Sequence, residues 1–301
     1  MALPAAVLVR RPSIRARAGA YVALTKPRIV ELLLITTLPT MVVAQRGIPP
    51  VWLMAATLLG GALAAGGANA INMYVDRDID ALMHRTEKRP LVTGVIAPRS
   101  ALVFAVSLEV MAFAELWWLV NLLSACLAVS ATLFYVFVYT LWLKRSSTQN
   151  IVIGGAAGAV PVLVGWSAVT GTLTWTPVVM FAIIFVWTPP HFWALAVRYK
   201  DDYRAAEVPM LPAVASFKRT AREILFYSVL LVGVSLALAL VGHLGVIYVV
   251  SASVLGLVFV AMAVHLLRRA TPKAAMELFS YSITYLTLLF VLMAVDVLTK
   301  H

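Results

Sequence analysis

A chain of 301 residues that is 62% hydrophobic and only 12% charged, with mean hydropathy +0.94, is not a soluble globular protein. A net charge of +11 invites a nucleic-acid partner, but the cations fall between apolar runs as topology signals do, which argues for no nucleic acid. The single cysteine, Cys126, can form no internal disulfide and reads as a small core residue.

In chain order, Met1 to Val9 is apolar but too short for a signal-peptide core, and Arg10-Arg11 lacks the apolar stretch of a twin-arginine signal. Residues 1–27 therefore read as a cytoplasmic segment, followed by a single transmembrane domain over residues 28–298. Within it, apolar runs of about 20 residues recur, each long enough to cross ~30 Å of hydrocarbon as a helix. They are continuous rather than alternating, which favours helices over an outer-membrane barrel. The fold class expected is all-α, a polytopic bundle of nine transmembrane helices near 28–46, 51–74, 99–119, 122–142, 150–170, 176–198, 223–242, 246–267 and 278–298. On that reading, all of the 24 Lys and Arg except Arg46 and Lys300 fall on one side of the lipid bilayer. The positive-inside rule makes that side cytoplasmic, with the N-terminus there, in a multi-pass protein of the plasma membrane. Most of these cations read as topology charge and anionic-lipid contacts.

The first long loop carries the densest chemistry. Asn72, Asp76 and Asp80 are spaced i, i+4, i+8 and lie along one helical stripe ~12 Å long, which Asn69 extends. Asp78 points the other way, to solvent or to Arg77. Three acids at a helix C-terminus oppose the macrodipole, so the stripe reads as a metal site. Its oxygen-only ligands suit Mg²⁺, the cofactor expected, bound together with phosphate oxygens and water. Arg85, Lys88 and Arg89 follow within two turns and could neutralise a diphosphate leaving group.

The sixth span should be broken or kinked at Thr188-Pro189-Pro190, one turn before His191. His191 is a candidate for binding or orienting a haem, or for proton transfer. The second long loop again sets acids beside cations: Arg198, Lys200, Asp201 and Asp202 are candidates for substrate binding. Pro209-Met210-Leu211-Pro212 then reads as a rigid turn folding back over the pocket. Glu31, one turn after Arg28, can pair with it; Glu109 and Glu115 should face the interior, Asp296 near the outer end could reach the interface, and none of the four has an assigned role. Trp117, Trp118, Trp142, Trp175 and Trp187 near span ends fit interfacial belts.

These residues resemble the UbiA superfamily of intramembrane prenyltransferases, whose first acidic motif matches Asn72-x-x-x-Asp76-x-x-x-Asp80. Finer elements are similar to the members that farnesylate haem: Thr25-Lys26-Pro27-Arg28, Arg85-Thr86-x-x-Arg89-Pro90-Leu91, Gln149-Asn150, His191-Phe192-Trp193, Asp201-Asp202-Tyr203 and Pro209-Met210-Leu211-Pro212. The resemblance runs from about Ala20 to the last span. It implies transfer of the farnesyl group of farnesyl diphosphate to a vinyl group of haem B, with addition of water, to make haem O for terminal oxidases. It also implies roles: Mg²⁺ on Asn72, Asp76, Asp80 and Asp202, diphosphate neutralised by Arg85, Lys88 and Arg89, Asn69 orienting metal or diphosphate, and His191 positioning the porphyrin. A downstream haem A synthase is the partner it suggests. One departure stands out: the superfamily's second motif commonly has two acids at i, i+4, whereas here Arg198 precedes Asp202 by four. Competing readings are a prenyltransferase acting on a quinone or chlorophyll precursor and, more distantly, a transporter, which would spread its charges through the midplane.

Overall fold

The structure, a computed structural model, describes residues 13–300, with 28–34 described as backbone only. Among the described residues every regular element is helical. The helices are α1 (Ile14–Thr25), α2 (Pro27–Gln45), α3 (Val51–Val75), α4 (Arg77–Asp80), α5 (Pro98–Leu119), α6 (Leu122–Ser146), α7 (Asn150–Thr170) and α8 (Trp175–Arg198), then α9 (Lys200–Ala205), α10 (Leu211–Val214), α11 (Phe217–Val241), α12 (Val246–Arg269) and α13 (Pro272–Thr299).

Eight of them, α3, α5, α6, α7, α8, α11, α12 and α13, are long and apolar enough to cross a membrane. This is a multi-pass membrane architecture. The first expected span corresponds to α2, whose described side chains form a shorter apolar stretch, Ile35–Gln45. The expected Arg28–Glu31 pair lies outside the described side chains.

Helix starts follow ordinary capping chemistry. Ser13, Asn121, Ser216 and Thr271 accept hydrogen bonds from the amides of Ala16, Ser124, Arg219 and Ala274, and proline opens α2, α5 and α13. The helix α12 begins at Gly245 without a cap of its own. Asp296, from α13, supplies one, accepting from the amides of Gly245 at 2.5 Å and Tyr248 at 3.3 Å. That buried acid is structural, and it does not reach the interface as expected.

In lipid there is little hydrophobic drive between helices, so close packing of small residues matters more. Gly60 and Gly67 of α3 leave room for Glu115 and Glu109 of α5, and a Cβ at either glycine would collide with those carboxylates. Glu109 accepts from Thr132 of α6 at 3.1 Å, while both carboxylate oxygens of Glu115 are buried without a hydrogen-bond partner. On the other side of the bundle, α7, α8, α11, α12 and α13 share the main core, anchored by Trp193, Tyr248, Phe259, Tyr285 and Phe290. Trp117, Trp118, Trp142 and Trp175 are exposed on the outer surface. Trp187 is buried and belongs to no belt, and Cys126 is exposed rather than in the core.

Two ends emerge. At one, Arg46 donates to the Gly242 carbonyl at 2.7 Å, Asn121 to the Ser167 carbonyl at 2.8 Å and Lys300 to the His243 carbonyl at 3.0 Å. At the other, Lys26, the segment from Asp76 to Pro98, the end of α6 and the segment from Arg198 to Ser216 come together. The polar chemistry is at that second end.

Candidate active site

The acidic strip starts inside α3 and runs through its end. Asp76 is the C-cap of α3, so Asn72, Asp76 and Asp80 do not lie on one unbroken helix. The register survives the junction: the Asp76 amide donates to Asn72 O at 2.9 Å and the Asp80 amide to Asp76 O at 2.8 Å. The three side chains therefore stay on one strip, and all are buried, Asp76 completely.

Buried carboxylates require partners, and here the partners are cations. Lys144 donates to Asp76 Oδ2, and Arg145 approaches Asp76 Oδ1 at 3.7 Å. Arg89 pairs with Asp80 at 2.5 Å. Lys26 donates to Asn72 Oδ1 at 2.9 Å, and the Asn72 amide donates to Asp76 Oδ2 at 2.7 Å and Thr140 Oγ1 at 3.1 Å. Asn69 holds the Thr25 carbonyl at 3.1 Å, tying α3 to the α1–α2 junction. At that junction Lys26 has φ +50°, a left-handed conformation uncommon outside glycine. Burial, and then the nearby Arg89 and Lys144, hold the Lys26 ammonium well below the usual lysine range.

The geometry of α6 explains how Thr140 and Lys144 arrive together. Phe134–Leu143 is a π-helix, with i→i+5 bonding and about 4.4 residues per turn. That wider turn aligns Tyr135, Tyr139, Thr140 and Lys144 on one face. The two tyrosine rings stack at 5.4 Å, and Tyr139 packs against Gly154 of α7. Outside the strip, Asp78 pairs with Arg145 at 2.7 Å, which lowers its carboxyl pKa to about 2. Arg77, its expected partner, instead lies over the Tyr74 ring.

The second loop meets the first through Asp202. Asp202 accepts from the His84 ring at 3.1 Å and the Arg85 amide at 3.2 Å, so it is committed to the first loop's backbone. Among the described residues no three His, Cys, Asp or Glu side chains gather where one ion could bind them. Asp202 has no hydrogen bond or ion pair to Asn72, Asp76 or Asp80 in this structure. Burial works to raise the Asp202 carboxyl, and the bonds from His84 and Arg85 outweigh it, leaving it below its ordinary range. The same hydrogen bond, accepted by Asp202, raises His84.

Arg85 and Arg198 both flank the Tyr199 ring, at 5.6 and 5.8 Å. Asp201 is 80% exposed and pairs with Arg204 at 3.2 Å. Lys88, Arg198 and Lys200 are exposed on the same end of the molecule. The Arg204 guanidinium donates to the Ala213 carbonyl, so Met210 and Leu211 are buried and the Pro-Met-Leu-Pro segment is folded down as a cap.

His191 lies deeper, on α8. That helix runs unbroken through Pro189 and Pro190, so of the expected break or kink the break does not occur. Its neighbours Trp187, Phe279 and Phe192 surround the imidazole, with ring centroids at 4.1, 4.7 and 5.4 Å. Nδ1 lies 2.6 Å from Ser282 Oγ of α13. His191 makes no hydrogen bond to the acidic strip.

Sequence reasoning passed over several members of this site. In the sequence Lys144 and Arg145 read as topology charge, and Thr140 carries no signal at all. Lys26 entered only through a resemblance. So did Asn150, which is fully buried with neither Oδ1 nor Nδ2 hydrogen-bonded. A lysine placed immediately after an aromatic apolar run, at the charged end, is the sort of signal that could have found Lys144.

The strip also suits a hard divalent ion. Asp76 Oδ1 is buried yet accepts no hydrogen bond, and the remaining donors at Asn72 and Asp80 are oxygens.

Comparison with known proteins agrees with this picture. Residues 33–291 match the model of the UbiA prenyltransferase family. A protoheme IX farnesyltransferase of Parafrankia sp. (strain EAN1pec) is 57% identical over 281 residues, covering 92% of this chain and 90% of its own. A solved digeranylgeranylglyceryl phosphate synthase superposes with TM-score 0.77 at 17% identity, over 94% of this chain and 99% of that one. A UbiA homologue from Archaeoglobus fulgidus bound to GPP and Mg²⁺ does so with TM-score 0.63 at 18% identity, over 91% and 99%. The chain belongs to the UbiA prenyltransferase family.

Proposed function

We propose that the chain transfers the farnesyl group of farnesyl diphosphate to a vinyl group of haem B, with addition of water, to give haem O. The observation carrying the donor half is the buried strip, in which Asn72, Asp76 and Asp80 are held against Lys26, Lys144, Arg145 and Arg89. Such alternation suits a ligand that brings both a cation and a polyanion. The acceptor half rests on the protoheme IX farnesyltransferases that the chain resembles across nine-tenths of its length.

Asn72, Asp76 and Asp80 would hold Mg²⁺. When bound, it would supply charge to offset the departing diphosphate. The residues then divide the work. Lys26, Lys144 and Arg89, now held by the strip, turn to diphosphate oxygens, joined by Arg85 and Lys88 from the loop above. The allylic C–O bond breaks with its electron pair leaving on the diphosphate. The terminal vinyl carbon bonds to the farnesyl C1, and water adds to the inner vinyl carbon and loses a proton. Asn69 fixes the α3 end of the strip through Thr25. The folded-down cap of Met210 and Leu211 helps exclude bulk water from the allylic cation. Arg198 and Lys200 are cations for acceptor carboxylates. Asp201 orients Arg204, and Asp202 ties the two loops.

The distribution of Lys and Arg supports a site on the cytoplasmic face of the plasma membrane, with the N-terminus there and nine spans in one domain over residues 28–298. A haem A synthase is then the natural consumer of the product. Purified protein incubated with haem B, farnesyl diphosphate and Mg²⁺ should yield a pigment heavier by one farnesyl group and one hydroxyl group. Prenylation of 4-hydroxybenzoate in place of haem B would overturn the acceptor.

A further inference from the structure

The hydrogen bonds around Ser282 determine which nitrogen of His191 carries its proton. Ser282 Oγ lies 2.6 Å from the Phe279 carbonyl and 2.6 Å from His191 Nδ1. Both contacts are short enough to need a proton between the heavy atoms. The Phe279 carbonyl has none to give, so the single serine hydroxyl proton must lie on that contact. The contact to the imidazole then needs a proton from the ring, and Nδ1 is its source. The ring's contacts are a hydroxyl and three aromatic rings, with no carboxylate to balance an imidazolium. In the neutral ring, Nε2 therefore keeps a free lone pair.

Building on the proposed acceptor, we infer that Ser282 is a positioning residue that fixes His191 as the Nδ1–H tautomer, so that Nε2 serves as a ligand to the iron of the substrate porphyrin. Trp187 reinforces the arrangement: it stacks on the imidazole and donates its indole N–H to the Ser282 carbonyl at 2.8 Å, bracing both partners at once. Fixing one imidazole nitrogen through a neighbour is how proteins aim the other at a metal. The helix supplies the second half of the geometry. Arg198 follows His191 by seven residues on α8, nearly two full turns, so the two share one face about 10 Å apart along the axis. A flat molecule with a metal at its centre and carboxylates on one edge could use both, iron toward His191 and carboxylates toward the exposed Arg198.

Titration of purified protein with haem B, followed by absorption spectroscopy in both iron oxidation states, tests this without turnover. The wild type should show an imidazole-ligated spectrum. His191→Gln should lose it and bind haem at least tenfold more weakly, and added imidazole should restore the spectrum. Ser282→Ala should still bind haem with a mixed spectrum, from a ring free to turn, and Ser282→Thr should return it to wild type. An unchanged spectrum in His191→Gln overturns the ligand, and an unchanged spectrum in Ser282→Ala overturns the positioning role. Should His191→Gln fail to fold, the Ser282→Ala and Ser282→Thr pair decides alone. Failure of the wild type to bind haem B strikes the acceptor reading itself, and this inference falls with it; bound haem with no imidazole signature strikes only the inference.

Discussion

Asp76 has no exposed surface, and Lys144, its partner, is only 12% exposed at its side chain. Removing one member of such a pair leaves the other charge buried, which typically costs about 3–5 kcal/mol, whereas replacing both by apolar residues of similar volume is often neutral. Asp76→Leu alone should therefore lower stability by about that amount. Asp76→Leu combined with Lys144→Met should recover most of it. Turnover should fall in both by on the order of a hundredfold or more, because the strip loses a donor for the metal and a cation for the diphosphate. Thermal unfolding in detergent and farnesyl transfer, measured on the same preparations, separate the two effects; a double variant that regains activity along with stability would count against a chemical role for Asp76. The acid of this pair was legible in the sequence because i, i+4, i+8 oxygen ligands at a helix end are unusual. Its lysine was not. Lys144 sits where positive-inside charge is expected anyway, and only the fold distinguishes a topology lysine from one turned inward onto a carboxylate.

At the scale of elements, the spans were readable to within a few residues, except for the starts of the seventh and the ninth, because roughly 20 apolar residues are a physical length requirement. What the pattern could not convey was the winding of α6. A segment that is apolar on every side carries no periodicity from which to tell a 3.6-residue turn from a wider one. The π-helix from Phe134 to Leu143 is nevertheless what brings Thr140 to Asn72 and Lys144 to Asp76. Deleting one residue of the lipid-facing side of that stretch, Phe137, removes the need for the extra width and should return α6 to ordinary winding. Lys144 would then turn by about 100° relative to α3, the rotation per residue of an α-helix. The deletion should leave a folded, membrane-inserted protein whose farnesyl transfer falls about a hundredfold. Restoring a single alanine at the same point should bring it back. A deletion variant with wild-type turnover would show that the π winding is incidental. The Pro189-Pro190 pair teaches the converse lesson: a strong local breaking signal was overridden because α8 is packed on several sides by α7, α11 and α13.

For the molecule as a whole, the two long loops at the charged end matter most as a joined pair. His84 is 91% exposed and Asp202 only 12% exposed at the side chain, so the contact pins an outer loop to an inner one. This junction could not be read from sequence, since 118 residues separate the partners and neither belongs to a periodic pattern. Its pH dependence follows from the two shifts. The Asp202 hydrogen bond raises His84 above its ordinary 6.5, so that contribution is complete below about pH 6.5 and disappears as pH rises through the raised value. Asp202 stays below its ordinary 3.8, despite burial, through the bonds from His84 and Arg85, so its contribution is complete above about pH 3.8 and disappears as pH falls through the lowered value. Between those limits the clasp is strongest. Spin labels at the exposed Leu82 and Glu207, with Cys126 replaced by alanine, should report a narrow distance distribution at pH 5.5 that broadens by pH 8.5. His84→Ala should give the broad distribution at both pH values. His84→Lys, which stays charged throughout, should remain narrow at both if it reaches Asp202. Equal widths at pH 5.5 and 8.5 in the wild type would mean that the Arg85 amide and the folded-down Pro-Met-Leu-Pro cap hold the loops without help from the imidazole charge.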